Sequence, residues 1–217
     1  MPKKILVLVL AVIFLSPSML SVFLQSSNQP KSSQFNLGHL TLIAALVDSL
    51  SPQWTNQQFD EMVVNILEET GFVIDHYSGS NAVANFSGRL FEKAYNIIIL
   101  RTHTTQGIPA SQNFHNTVII AMGCSGFTLP LAEDLVKRGV GTYVAWRGYV
   151  RLSRTDRAVV YLLENLFIKT QTIEQAVSEA MEKMGPDPIY NSTLNYYPFE
   201  AGNYTIWDII NGQNTGR

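Results

Sequence analysis

Two apolar runs, Asn96-Ile-Ile-Ile-Leu-Arg-Thr-His103 and Thr117-Val-Ile-Ile-Ala-Met-Gly-Cys124-Ser-Gly126, constrain the fold more than anything else in the chain. Uninterrupted stretches of Val and Ile, about four to eight residues long and bounded by turn residues, are what strands buried on both faces look like. Both read as central strands of a parallel sheet. In such sheets, ligands and reacting groups gather beyond the carboxyl ends of the strands, where loops from adjacent strands converge. His103 and Cys124 fall at that edge. Neighbouring strands lie only about 4.8 Å apart in the hydrogen-bonding direction. If these two are neighbours, an imidazole and a thiol meet, and together they make a base and nucleophile pair.

The rest of the chain alternates in kind. Leu40 to Val47 predicts a first strand closing at Asp48. Phe59, Met62, Val63, Ile66 and Leu67 recur at helical spacing between Asn56, an N-cap residue type, and the stop at Gly71. Phe72 to Tyr77 predicts a second strand and Phe86 to Ala94 a short helix. Beyond Gly126 come a helix from Leu129 to near Gly139, a strand from Gly141 to Trp146, and helices over Thr155 to Phe167 and Thr172 to Met184. Thr172 and Gln175 have capping-box spacing. The tail from Ile189, with Trp207, supplies an edge strand. Strands alternating with helices predict an α/β three-layer sandwich with a mostly parallel central sheet. A length of 217 residues suits one such domain, placed at residues 39–217.

Charged residues make up 15% of the chain against 46% hydrophobic, and the net charge is −2. That balance argues against disorder and against a nucleic-acid footprint. With Cys124 as the single cysteine, an intramolecular disulfide and a multi-cysteine metal centre are both excluded. His39, His76 and His115 carry no ligand spacing, and a zinc site from Cys124, His103 and His76 has no local support, so no metal or cofactor is expected. Gly123-Cys-Ser-Gly126 is neither a serine-hydrolase elbow nor a phosphate loop. Arg151, Arg154, Asp156 and Arg157 read as a helix entrance facing solvent.

At the amino terminus, Lys3 and Lys4 precede the apolar run Ile5 to Leu15, then Ser-Pro-Ser and a second apolar piece, Met19 to Leu24. Residues 1–24 read as a signal peptide or, counted together, as a signal anchor of about bilayer-spanning length. Residues 25–38 read as a flexible linker. Either reading places the domain outside the cytoplasm, secreted or tethered to the cell membrane by this segment. Sequons at Asn85, Asn191 and Asn203 are compatible with that side.

The order strand, helix, strand, helix, strand ending in His, strand ending in Cys resembles the caspase-like fold of cysteine peptidases, and most of all its CHAT and gingipain-like branches. The likeness rests on Ile120-Ala-Met-Gly-Cys124-Ser-Gly126, on Leu131 through Gly139 to Trp146, and on Ile173 to Ala180, and it covers roughly residues 40–185. It implies a peptide or protein substrate, with Cys124 attacking the carbonyl and His103 protonating the leaving amine. The Cys124 N–H would serve as an oxyanion donor, and His103 or the positive end of the helix beginning near Phe127 would draw the thiol towards thiolate. Trp146 and Arg147 would shape the specificity pocket, with Arg147 favouring an acidic group. Thr104 stands where the family usually has Gly, Gly123 stands in place of Ala, and the spacer before Ser125 is missing. The alternative is therefore a catalytically inactive module of the same fold, used for surface interaction or sensing.

Overall fold

The computed structural model describes residues 41–50, 52–103 and 107–213. The leader, the linker and Thr104 lie outside the described residues. The strands are β1 (Leu42–Asp48), β2 (Phe72–Ser78), β3 (Ile97–Arg101), β4 (Thr117–Ala121), β5 (Val140–Arg147) and β6 (Thr193–Tyr197). They form one sheet in the order β2-β1-β3-β4-β5-β6. The first five are parallel and β6 returns antiparallel along β5. The helices are α1 (Gln57–Glu69), α2 (Ala82–Leu90), α3 (Leu129–Lys137), α4 (Leu152–Leu163), α5 (Ile173–Met184) and α6 (Ile206–Ile210). The expected α/β three-layer sandwich is what forms.

Alternation along the strands builds two cores. Ala44, Leu46, Ile97, Ile99, Val118, Ile120, Met122, Val144 and Trp146 point to one face, where α1, α4, α5 and α6 cover them. Ala45, Val47, Ile98, Leu100, Ile119, Ala121, Tyr143 and Ala145 point to the other, under α2 and α3. Successive side chains of a strand leave on opposite sides, so a strand covered on both faces is apolar at nearly every interior position. Truncating one of these buried aliphatics to Ala costs about 2–5 kcal/mol.

Three regions differ from the periodicity. The second helix begins at Ala82 and ends at Leu90, one turn earlier than Phe86 to Ala94, because Ala82, Phe86 and Leu90 at i, i+4 and i+8 make the buried stripe. Phe91, counted into the helix from sequence, is 63% exposed. α4 starts at Leu152 rather than Thr155, and its end runs on through a π-helical turn, Glu164–Ile168. The edge strand in the tail is present as β6, and α6 follows it, opened by a Thr205 and Asp208 capping box that the pattern reading passed over. Among the described residues, no helix is long and apolar enough to cross a membrane.

Candidate functional site

β3 and β4 are adjacent and parallel, in register from Ile97 with Val118 to Leu100 with Ala121. The pairing ends at Leu100 with Ala121, and His103 and Cys124 each follow three residues beyond those ends. The odd positions of β3 and the even positions of β4 face the same core, and Cys124 packs against that core too. His103 and Cys124 line one cleft of about 140 Å³, walled by Leu50, Met122, Val150, Leu152 and Thr155. His103 is exposed at its mouth and Cys124 is half-buried. The two side chains singled out in the sequence are thus brought to one place.

The turn that carries the thiol is tied down from three sides. Ser125 has φ +53°, a left-handed conformation uncommon for a residue with a side chain. Its N–H donates to the Gly148 carbonyl at 2.7 Å. Gly148 has φ +105°, which favours glycine, and a Cβ there would also crowd Ser192 Cβ at 3.3 Å. The thiol itself lies against Val150: Sγ is 3.4 Å from the Val150 carbonyl oxygen and accepts from the Val150 N–H at 3.4 Å.

Val150 is held in turn by a loop far along the chain. Asp187, fully buried, accepts from the N–H of Arg151 at 3.1 Å and from its Nε at 3.3 Å, and from the N–H groups of Ile189 and Tyr190. Burial alone would raise the Asp187 carboxyl, but these donors outweigh it and bring it down to about 2. Ser192 Oγ donates to the Tyr149 carbonyl at 2.6 Å and completes the clamp.

Beneath the cleft sits a buried ionic cluster. Arg101 is 1% exposed; its Nε and Nη2 donate to the Asp156 carboxylate at 2.9 and 3.1 Å, and Nη1 donates to Asp48 Oδ2 at 2.7 Å. Nη2 also donates to the Trp54 carbonyl, and Asn56, the N-cap of α1, donates from Nδ2 to Asp156. Burial opposes the charge on Arg101, yet the two carboxylates more than offset it and hold it protonated. One guanidinium shared by two acids leaves one of them short. Burial accordingly pushes Asp48 up despite the Leu50 N–H and Arg101.

The other expected site residues lie elsewhere. Trp146 is fully buried and donates from Nε1 to Thr155 Oγ1 at 2.8 Å, which in turn donates to the Met122 carbonyl. It braces the cleft wall from behind. Arg147 stands over the Phe127 ring at 5.9 Å, and Phe127 belongs to the opposite core. Neither lines the thiol cleft. The helix after the cysteine starts at Leu129 rather than near Phe127, and its buried residues Ala132 and Leu135 serve the α2 and α3 face, away from Sγ.

Asp156, read from sequence as part of a solvent-facing entrance, is 5% exposed and bonded to Arg101. Sequence reasoning misses Arg101, Asp48, Val150 and Asp187 as site residues and misplaces Asp156. For the first two a signal existed: each charged residue closes an otherwise apolar strand, and β1 and β3 pair them directly. Among the described residues, no group of three or more His, Cys, Asp or Glu is placed to hold a metal ion. Chemically the arrangement offers a thiol and an imidazole on one cleft, suited to acyl transfer. Compared with known proteins, no family model matches the chain and no curated protein matches it.

Proposed function

We propose that this chain is a caspase-like cysteine peptidase acting outside the cytoplasm, with Cys124 as nucleophile and His103 as general base and acid. The observation that carries the reading is the delivery of both side chains to one cleft by adjacent parallel strands. In the first step His103 takes the thiol proton, sulfur attacks the peptide carbonyl, and an S–C bond forms as the C–N bond breaks, with His103 returning the proton to the leaving amine. Water then hydrolyses the thioester and restores the thiol. The Cys124 N–H stands as the oxyanion donor. The Lys3-Lys4 leader and its apolar run support export, with the membrane engaged through that segment.

The test is labelling of the full chain by peptides ending in a thiol-reactive electrophile, read by intact mass. One adduct is expected in wild type, none in Cys124→Ala, and a rate reduced about 100-fold or more in His103→Ala. A wild-type chain that no peptide electrophile labels would sink the proposal. One observation favours the second reading, an inactive interaction or sensor module: Sγ already sits in two contacts with Val150, where the thiol acts as a latch on the loop. Under that reading, Cys124→Ala lowers stability and no peptide electrophile reaches the sulfur.

A further inference from the structure

A second, larger cleft of about 680 Å³ opens beside the thiol cleft and shares Leu50, Arg101, His103 and Leu152 with it. Its outer wall carries Trp54, which is 54% exposed although it is the kind of side chain a core would use. The Trp54 carbonyl is fixed by Arg101, so the segment that presents this indole is anchored to the floor.

The charges around this cleft are already satisfied. Arg101 and Asp156 form a two-point ion pair, Asp48 completes it, and Asn56 adds a donor to Asp156. A charged ligand group that took one of these partners would leave another charge buried and unpaired, which is strongly unfavourable. Arg151 at the rim has Nε on Asp187, whose remaining contacts are backbone N–H groups. On the floor itself neither an acidic nor a basic ligand finds a counter-ion in want of a partner, and the cation open to solvent, Arg151, is 41% exposed at the rim, where an ion pair is worth little. What the cleft presents is apolar surface, most of it from the exposed Trp54 and the half-buried Leu152.

Resting on the peptidase reading above, we infer that this cleft is the substrate's specificity subsite and takes an uncharged apolar or aromatic side chain neighbouring the reacting carbonyl. Its occupant follows from continuity with the thiol cleft through His103 and Leu50. The preference differs in kind from the acidic one expected from Arg147.

The experiment uses the full chain. N-acetyl peptide amides that carry Phe, Leu, Asp or Arg at one position are titrated into the Cys124→Ala chain by calorimetry, and matching peptide electrophiles are reacted with wild type. Phe and Leu are expected to bind at least about tenfold more tightly than Asp and Arg. Trp54→Ala removes that preference, with folding checked by its melting curve. Phe91→Ala, at another exposed aromatic, leaves the preference in place. Equal binding of all four, a preference for Asp or Arg, or a preference that survives Trp54→Ala overturns the inference. An apolar preference without labelling of Cys124 keeps the subsite and removes the peptidase reading. Labelling without side-chain preference does the reverse, and neither binding nor labelling removes both.

Discussion

Replacing Arg101 with Met tests the buried cluster directly. The substitution keeps an unbranched apolar stem at the end of β3 but deletes four hydrogen bonds, two to Asp156, one to Asp48 and one to the Trp54 carbonyl. It leaves Asp48, fully buried, and Asp156, 5% exposed, without their cation. Breaking a buried pair by removing one partner costs about 3–5 kcal/mol, because the charge left behind is neither solvated nor matched. For a chain of this size, that is a fall of about 10 °C in melting temperature. Adding Asp156→Leu to Arg101→Met removes one stranded charge and recovers part of the loss, so the double variant is more stable than the sum of the singles predicts. Urea unfolding of the four chains, analysed as a double-mutant cycle, measures this. A loss below about 1 kcal/mol in Arg101→Met, or strict additivity in the cycle, would refute the reasoning that the cluster is dry and interdependent.

Acid titration separates two carboxylate and imidazole contacts by sign. Asp187 lies at about 2 in the folded chain against its ordinary 3.8, so its contribution is complete above 3.8 and is lost as pH falls towards 2. Asp187→Asn flattens the stability curve in that window, and it also slows peptide-electrophile labelling of Cys124, because Arg151 and with it Val150 are released. His76 behaves oppositely: its hydrogen bond to Asp60 raises it above 6.5, so its contribution is complete below 6.5 and fades as pH climbs through the folded value. With the imidazole 36% exposed, screening keeps that term under about 1 kcal/mol, visible as a small loss in His76→Leu at pH 5.5 and none at pH 9 by urea unfolding.

The strands and their facing were legible because burial on both sides leaves a continuous apolar signature, and Ile97 to Leu100 and Val118 to Ala121 carry it without interruption. His103 and Cys124 could be paired in advance since consecutive parallel strands are usually neighbours. Of the ionic cluster only the Arg101 and Asp48 pairing at the strand ends leaves a signal; the second partner of Arg101 is set by where α4 crosses the sheet, not by sequence spacing. Asp156 sits among Arg154 and Arg157, a local pattern indistinguishable from a solvated helix face, while its real partner is 55 residues away. The same applies to Asp187, whose partner Arg151 lies 36 residues away. Trp146 and Arg147 show the limit of position by analogy. The residue number places them at the end of β5, but alternation sends one ring into the core and the neighbouring guanidinium to the opposite face.

The clamp formed by Asp187 and Ser192 also bears on the order of assembly. During synthesis the thiol, the imidazole and all five parallel strands are made before the residues that secure Val150. A nascent chain therefore carries its reactive groups through elongation without a finished rim, and a product truncated ahead of Asp187 would keep the sheet's parallel part yet lack a fixed approach to sulfur. The rim is completed only by residues in about the last seventh of the polypeptide.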